Sequence, residues 1–408
     1  MIPLEDARQR VLSRCVRLAP TLVGIDEVYG LVLAAEVRSP ENVPPFDNTA
    51  VDGYAVRSED VASAPVVLRV IGEIAAGAAP DVVVEAGTAV RIMTGAPLPE
   101  GCDAIVMVED TERLNDGSEV KVVTAVSAGA GIRRAGSDIT AGHELFSAGV
   151  EVTAAMTGVL SSCNVRTVLA HPRPRVAVLS TGDELVDDGG PLRIGQIRES
   201  NRTMLLRLVA EAGCTPIDYG IIRDDESTLE HALRDAASQC DAIVTSGGVS
   251  MGDYDVVKMV LSRIADMQWM QIAMKPAKPF AFGELSDGVR RVPIFGLPGN
   301  PVSSFVSFEL IARPALRTMA GHPTTTAFRS YATVVVDSDV RRKVDGKVHF
   351  DRVFAYWHDD GRLHVRRGDA QASHQLSASA RTNALLEVPD GDGLSVGESA
   401  RALLFGPA

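Results

Sequence analysis

The pattern of apolar and polar positions divides the 408-residue chain into stretches of different character. Residues 1–20 carry apolar side chains at helical spacing and predict a helix that Pro20 ends. Residues 21–43 predict extended structure with a short helix, and residues 141–170 predict a strand followed by a helix. Between them, short apolar runs with glycine-rich turns indicate a β-rich domain. Its predicted strands are Val66–Gly72, Val82–Val84, Ala89–Met93, Ala104–Val108 and Glu119–Val123.

Strand, loop and helix alternate between about residues 172 and 320. Helices are expected from Ser200 to Gly213, from a cap at Ser227, from about Val256, and from about Val302 to Met319. The predicted strands are Val176–Leu179, Ile217–Ile222, Ala242–Val244, Trp269–Met274, Phe280–Phe282 and Val292–Phe295. This alternation is typical of a doubly wound parallel α/β sheet, which binds ligands beyond the carboxyl ends of its strands.

The C-terminal part of the chain returns to strands, and His358-Asp-Asp-Gly is typical of a hairpin turn. A small β-barrel or sandwich is the expected shape. The predicted strands are Ala332–Val336, Arg352–Trp357, Leu363–Arg366, Ala384–Val388 and Ala400–Phe405. We therefore predict a multidomain α/β plus β protein. Its expected domains are residues 1–44 with 141–171, 45–140, 172–322, and 323–408.

Composition excludes several classes of function. The net charge of −13 argues against nucleic acid as a partner. No apolar run approaches the length of a membrane helix, and the N-terminus lacks the pattern of a secretory signal. The five cysteines are scattered without paired spacing, which is typical of reduced thiols and not of a disulfide framework or a structural zinc site. We expect a cytoplasmic protein.

The stretch Asp241–Asp255 concentrates the candidate chemistry. A short apolar strand leads into the glycine-rich loop Ser246-Gly-Gly-Val-Ser250, and Asp253 and Asp255 follow. Glycines let the backbone approach a ligand, and consecutive free N–H groups form a nest for an anion. Neighbouring carboxylates would repel a phosphate unless a metal ion is present as well. The stretch therefore predicts a site for a phosphate and a metal.

Carboxylates also follow two other predicted strands, as Asp183 with Glu184 and as Asp224 with Asp225. Helix N-capping would explain such residues equally simply. Carboxylates at three strand ends are, however, more than capping requires. Together they are suited to Mg²⁺, which prefers a few carboxylates with substrate oxygens and water.

Two further loops are candidates for binding anions. Lys275 and Lys278 are held by flanking prolines, although solvated surface lysines are the common alternative. The loop Gly296-Leu-Pro-Gly-Asn-Pro301 precedes a helix and could present free N–H groups at the positive end of its dipole, or could be a plain turn. Local context assigns Asp52 and Asp138 to ordinary turns, and His171, His231 and His322 to structural or exposed positions.

Taken together, these segments resemble the molybdopterin molybdenumtransferase family, the MoeA type also found as the E domain of gephyrin. The resemblance covers essentially the whole chain and depends on the joint order of several motifs. They are Pro44–Val56, Arg91–Gly101, Gly136–Asp138, Ser180–Leu185, Gly195–Ile197, Ser200–Asn201, Ser246–Ser250, Lys275–Gly283 and Leu297–Val302.

The resemblance implies a homodimer whose active site is completed by the β-rich domain of the other subunit. It implies that adenylylated molybdopterin and molybdate react with the help of Mg²⁺, so that molybdenum is inserted and AMP leaves. Glu184, Asp224 and Asp255, rather than Asp253, would be the acidic, metal-binding residues of the crevice. Asp52 and Asp138 would reach in from the partner subunit as further catalytic acids.

The resemblance also implies a set of substrate-binding residues, in which the two lysines hold anionic groups and two residues come from the C-terminal barrel. They are Thr94, Asn201, Ser246, Gly247, Gly248, Ser250, Lys275, Lys278, Pro298, Gly299, Asn300, Pro301, Arg352 and Ser373.

Two alternatives to the transferase agree less well with the sequence. Molybdopterin adenylyltransferases share a similar doubly wound domain but are far shorter and lack the flanking β-rich regions. A non-catalytic scaffold that retains the fold would need partner-binding extensions or a long linker, which this sequence lacks. The transferase is thus the favoured function, with the molybdopterin-adenylylating enzyme as a possible upstream partner.

Overall fold

The computed structural model describes residues 1–248, 256–368 and 371–408. Its central element is a six-stranded sheet, the expected doubly wound sheet with two antiparallel strands added at one edge. The four strands from Thr215–Ile222 to Arg291–Leu297 are parallel. The other two, Pro279–Ser286 and Ala265–Gln271, pair in antiparallel fashion. In spatial order the strands are Thr215–Ile222, Arg175–Thr181, Ala242–Ser246, Arg291–Leu297, Pro279–Ser286 and Ala265–Gln271.

Helices cover both faces of this sheet because its strands are apolar on both sides. Val176 and Val178 belong to one core cluster, and Ala177 and Leu179 belong to another, as alternation along a strand requires. The last helix of the domain contains a π-helical segment, Phe308–Ala312. The helices are Asn201–Glu211, Glu226–Gln239, Val256–Ile264, and Pro301–Ser307 continued by Arg313–Met319.

The β-rich domain contains a second six-stranded sheet, and one predicted strand is wrong. Residues 82–84 form no strand; Val83 makes a single bridge to Glu100, and Val84 lies in the core. In spatial order the strands are Ala104–Met107, Gly53–Val56, Thr88–Ile92, Val66–Ile74, Glu119–Val122 and Thr111–Leu114. Asn48–Thr49 pairs separately with Ile132–Arg133.

The N-terminal segment and residues 141–171 meet in a small unit in which Thr167–His171 pairs with Thr21–Gly24 and with Val32–Leu33. Helix Ala154–Ser162 packs on it, and Glu144–Phe146 pairs with Val37–Arg38. The first helix, Leu4–Leu12, is shorter than predicted. It buries Ala7 and Val11 in the core of the α/β domain. The short helix expected within residues 21–43 is absent, because this segment is used in strand pairs and turns.

The C-terminal domain is a closed five-stranded barrel, and the predicted hairpin turn at His358 is confirmed. A sixth short strand, Met274–Lys275, comes from the α/β domain and pairs with Val348–His349 of the barrel. The barrel strands, in order, are Val348–Trp357, Leu363–Arg367, Tyr331–Val336, Ser399–Leu404 and Ala384–Val388, which returns to the first. Short helices at Thr324–Ala327 and Leu376–Ser379 precede and interrupt this barrel.

All five cysteines are unpaired. In the described parts of the chain, no helix has the length and apolar character needed to cross a membrane.

Candidate active site

A cleft of about 810 Å³ lies at the carboxyl ends of the four parallel strands, where the sequence places the ligand crevice. The strand order divides its lining. The strands ending at Thr181 and Ile222 lead to carboxylates, and the strands ending at Ser246 and Leu297 lead to glycine loops. The described lining residues are Thr181, Gly182, Glu184, Leu185, Ile197, Arg198, Glu199, Ser200, Asn201, Asp224, Ser246, Gly247, Gly248, Val256, Val257, Pro279, Pro298, Gly299, Asn300, Pro301 and His374.

The glycine loop after Ser246 is confined by its neighbours. Gly247 donates its N–H to the carbonyl of Leu297 at 3.1 Å. Gly248 has a φ of +69°, and a Cβ there would collide with the side chain of Val257. Only glycine suits this position because it alone tolerates both the left-handed backbone and the close approach. The remainder of the loop, with Ser250, Asp253 and Asp255, lies outside the described residues.

Asn201 joins the two glycine-rich loops. Its Nδ2 donates to Ser246 Oγ and to the carbonyl of Gly299, both at 2.7 Å. Its Oδ1 is buried, and among the described residues no donor reaches it. A buried acceptor without a donor is costly, so a ligand N–H or O–H in the cleft would satisfy it.

Glu184 and Asp224 both line the cleft from adjacent strand ends, and both are exposed. The Glu184 carboxylate folds back over Gly182, where a Cβ would lie 2.6 Å from Oε2. Asp183 turns elsewhere and accepts the N–H of Asp224 at 3.3 Å. No helix starts after Asp183, so the helix-capping alternative is wrong for this pair. It holds for Asp225, which caps the next helix through the N–H of Thr228 at 2.7 Å.

The predicted cap at Ser227 is therefore wrong. Asp225 and Ser227 are both good capping residues, but the helix begins at Glu226, so that Ser227 already lies inside the first turn. Ser227 is past the N-cap position, whose side-chain oxygen accepts the free N–H groups of the first turn.

Three cleft residues were not singled out from the sequence. Arg198 is the one lysine or arginine among the described lining residues, and His374 enters from the C-terminal barrel. Glu199 accepts from Ser180 Oγ at 2.9 Å and from the N–H of Arg202 at 2.6 Å, so it caps the Asn201–Glu211 helix. The segment from 187 to 199 has no periodic pattern that would have drawn attention to Arg198 and Glu199.

The loop Pro298–Pro301 lines the cleft before a helix, as predicted. One N–H of that helix start is already used, since Val302 donates to the carbonyl of Ser373 at 3.1 Å. Ser373 is thereby fixed beside the cleft through its backbone. Its neighbour His374 supplies the side chain that lines the cleft.

The two lysines lie at the same edge of the sheet, because Pro279 begins a strand antiparallel to Arg291–Leu297. Both lysine side chains are exposed, and neither is among the described residues that line the cleft. Pro279, next to Lys278, does line the cleft. Lys275 is held in the short strand that pairs with the C-terminal barrel.

Arg352 is only 1% exposed and contacts backbone carbonyls. Its guanidinium donates to the carbonyl of Gln375 at 3.2 Å and to that of Ala372 at 3.4 Å. Burial lowers the pKa of this guanidinium. The structure therefore places Arg352 beneath the loop that carries Ser373 and His374, and outside the described lining of the cleft.

The β-rich domain places its own candidate residues on a separate exposed surface. The N–H and the hydroxyl of Thr94 both donate to Asp52 Oδ1 at 2.7 Å, and these bonds lower the pKa of Asp52. Asp138 is exposed as well, and its N–H donates to the carbonyl of Val43 at 3.0 Å. Among the described residues that line the cleft, none comes from residues 45–140.

Comparison with known proteins gives three family matches along the chain. Residues 2–164 match the MoeA N-terminal region (domain I and II), residues 177–318 a probable molybdopterin binding domain, and residues 336–405 the MoeA C-terminal region (domain IV). A molybdopterin molybdenumtransferase of Haemophilus influenzae is 35% identical over 98% of this chain and 97% of its own length.

Molybdopterin molybdenumtransferase 2 of Mycobacterium tuberculosis is 38% identical over 94% of each chain. Among solved structures, a molybdopterin biosynthesis MoeA protein from Pyrococcus horikosii superimposes with a TM-score of 0.81 at 30% identity, covering 100% of both chains. The predicted fold class is confirmed by this likeness.

Proposed function

Because the chain belongs to the MoeA family of molybdopterin molybdenumtransferases, we propose that it inserts molybdenum from molybdate into adenylylated molybdopterin and releases AMP, as a step of molybdenum cofactor biosynthesis. The single observation that carries the reaction is the divided cleft at the strand ends. Carboxylates suited to a cation lie on one side and glycine loops suited to phosphates lie on the other.

The cleft has the size and the polar groups of a nucleotide-like site. Its volume of about 810 Å³ is within the range for small-molecule pockets. Asn201 Oδ1 is a buried acceptor that lacks a donor among the described residues. Pterin and adenine rings both carry N–H donors that could complete it. Gly247 and Gly248 allow the backbone to approach a phosphate closely.

Mg²⁺ fits the residues that line the carboxylate side. Glu184 and Asp224 offer hard oxygen donors from adjacent strand ends in one cleft, and such donors are those that Mg²⁺ prefers. We infer that these two residues, with Asp255, hold the cation. When bound, the cation would neutralise negative charge that develops on the phosphates as the phosphoanhydride is cleaved.

The protein's own groups would orient the substrates. Arg198 contributes a positive charge to a cleft in a chain of net charge −13, so it is suited to hold an anionic group. Lys275 and Lys278 lie at the same sheet edge and would hold molybdate or phosphate oxygens at its rim. Arg352 would act as a positioning residue, because it holds the loop of Ser373 and His374 through backbone carbonyls.

We further propose that the active site is shared in a homodimer. The exposed surface with Asp52, Thr94 and Asp138 makes no contribution to the described cleft of its own chain. A partner subunit could bring this surface to the cleft, as the resemblance implies.

We also propose a cytoplasmic location, with which the five unpaired cysteines are in keeping. The molybdopterin-adenylylating enzyme would supply the substrate.

AMP release from adenylylated molybdopterin tests the reaction. It should require both molybdate and Mg²⁺, and Asp224→Asn should lower kcat/KM by about a hundredfold because one charged group is lost from the site. Asp26→Asn, at an exposed aspartate outside the cleft, should leave it unchanged. AMP release that is independent of molybdate and metal, or equal in the two variants, would refute the proposal.

Mixing two inactive variants tests the shared site. Asp52→Ala and Asp224→Ala are mixed, unfolded and refolded together. If each site uses Asp52 from one subunit and Asp224 from the other, a heterodimer contains one intact site of two. Random reassociation makes about half of the dimers heterodimers, so about a quarter of the wild-type activity should return. Activity that stays at the level of the separate variants, or a monomer in light scattering, would exclude the shared site.

A further inference from the structure

Two histidines and an aspartate lie together on a hairpin of the C-terminal barrel. His358 follows strand Val348–Trp357, Asp360 lies in the turn, and His364 belongs to strand Leu363–Arg367. One ligand atom from each lies within 4.8 Å of the others. None of the three is among the described residues that line the cleft. We propose that this cluster is a binding site for a divalent transition cation of the Zn²⁺ type.

The separations are those of ligands around one ion. His364 Nε2 is 3.2 Å from Asp360 Oδ2, and His358 Nδ1 is 3.4 Å from Asp360 Oδ1. Two ligands about 2.0–2.2 Å from a tetrahedral Zn²⁺ lie roughly 3.3 Å apart. The two contacts reach different oxygens of Asp360, and one ligand atom from each of the three residues lies within 4.8 Å of the others. Side-chain rotation could therefore bring all three to one ion, with further positions open to water.

The backbone holds the cluster in place. Tyr356 pairs with His364, and Trp357 pairs with Leu363, at the end of the hairpin. The turn is closed by the N–H of His358 donating to the carbonyl of Arg362 at 3.0 Å. His358 Nδ1 accepts the N–H of Asp360 at 3.3 Å, which fixes its position in the turn, and a cation bound by Nδ1 would replace this hydrogen bond.

A second carboxylate orients His364. Its Nδ1 is 2.6 Å from Asp337 Oδ1, and Asp337 Oδ2 accepts the hydroxyl of Tyr356 at 2.6 Å. His364 is buried, so its ring orientation is set by this bond and Nε2 is directed at Asp360. A histidine that binds a metal almost always donates its other ring N–H to such a carboxylate or carbonyl.

Arg362 provides an alternative partner for Asp360, since its Nε donates to Oδ2 at 2.7 Å. The two imidazoles have partners within the cluster as well, and their ring centroids are 4.4 Å apart in a stacked arrangement, which brings nitrogen ligands from both sides of the turn to one place. A cation bound by Nδ1 of His358, Nε2 of His364 and Asp360 Oδ1 would replace the contact of Nε2 with Oδ2 and leave Oδ2 to Arg362.

The ligand set selects the kind of ion. Imidazole nitrogen suits Zn²⁺, Ni²⁺ and Cu²⁺, whereas Mg²⁺ prefers oxygen donors alone. The barrel site would thus differ in preference from the carboxylate site proposed in the cleft. An ion here would connect the hairpin, through Asp337, to the strand Tyr331–Val336, and would stabilise the barrel by binding only its folded form.

Titration of the untagged full-length protein with Co²⁺, followed by competition with Zn²⁺ in excess Mg²⁺, tests the site. The wild type should show one saturable equivalent with Co²⁺ absorption bands. His358→Ala should abolish this equivalent, and Asp337→Asn should weaken it about 10–100-fold. His231→Ala, at an exposed histidine of the Glu226–Gln239 helix, should bind like the wild type.

His358 is chosen because its side chain is 46% exposed, so its loss should spare the fold; circular dichroism of each variant checks this. Equal binding by the wild type and His358→Ala would overturn the proposal. So would a wild type that binds Co²⁺ and Zn²⁺ no more tightly than Mg²⁺.

Discussion

The contact between Asn201 and Ser246 offers a direct test of how the cleft is held together. Asn201 Nδ2 makes two hydrogen bonds of 2.7 Å, to Ser246 Oγ and to the carbonyl of Gly299. A neutral hydrogen bond contributes about 1 kcal/mol net. Asn201→Ala should therefore cost about 2 kcal/mol of the free energy that holds the two loops in place, which corresponds to a loss of at least roughly thirtyfold in kcat/KM, and a ligand bond to Oδ1 would add to it.

A double-mutant cycle isolates the bond to Ser246. We expect Asn201→Ala and Ser246→Ala, alone and combined, to give a coupling energy of about 1 kcal/mol in kcat/KM for AMP release. Asn164→Ala serves as the control, since its Nδ2 bonds to exposed Glu41 far along the chain. Additive effects of the two substitutions, or an Asn201→Ala variant as active as the control, would refute the view that this contact organises the cleft.

Two further predictions concern a glycine and a histidine. Gly248→Ala should abolish activity because the added Cβ would collide with Val257. Gly189→Ala should retain activity, since Gly189 has a similar φ of +75° but no atom within 4 Å of an added Cβ. Steady-state AMP release by the two variants separates the effect of the collision from that of backbone strain. Burial, with the nearby Arg317, lowers the pKa of His322 to about 4. Since the unfolded chain then binds a proton first, acidification from pH 6.5 to about pH 4 should remove up to about 3 kcal/mol of stability. Urea unfolding should show this loss in the wild type and a smaller one in His322→Gln; equal pH dependence would contradict it.

The local pattern of apolar residues was sufficient to predict a strand where the apolar run is continuous. Val176–Leu179 and Val292–Phe295 were correctly predicted as buried strands, since few other structures accommodate such runs. The same pattern predicted a strand wrongly where only pairing with a neighbouring strand distinguishes a strand from a coil. Residues 82–84 resemble a strand in composition but find a single bridge.

The direction of a strand was also beyond the sequence. Pro279–Ser286 carries an apolar run like those of the parallel strands, yet its pairings with Arg291–Leu297 and with Ala265–Gln271 are both antiparallel. Direction depends on how the chain returns to the sheet, which residue type does not encode.

Some candidate site residues could be predicted from the sequence and others could not. Glu184, Asp224 and the glycine loop come directly after predicted strands, and the carboxyl ends of parallel strands must share an edge, so their meeting in one cleft could be foreseen. Arg352 and Arg198 could not be assigned in this way. A buried guanidinium under a loop and an exposed one in the cleft look alike in sequence.

The sequence by itself determined the family, the order of the domains and the strand ends that carry the cleft residues, because periodicity and motif spacing are properties of neighbouring positions. The tertiary structure alone decided that Asn201 ties Ser246 to Gly299, that Arg352 supports the loop of His374, and that His358, Asp360 and His364 converge. Each of these depends on distances between side chains that only packing sets, and no local pattern contains such distances.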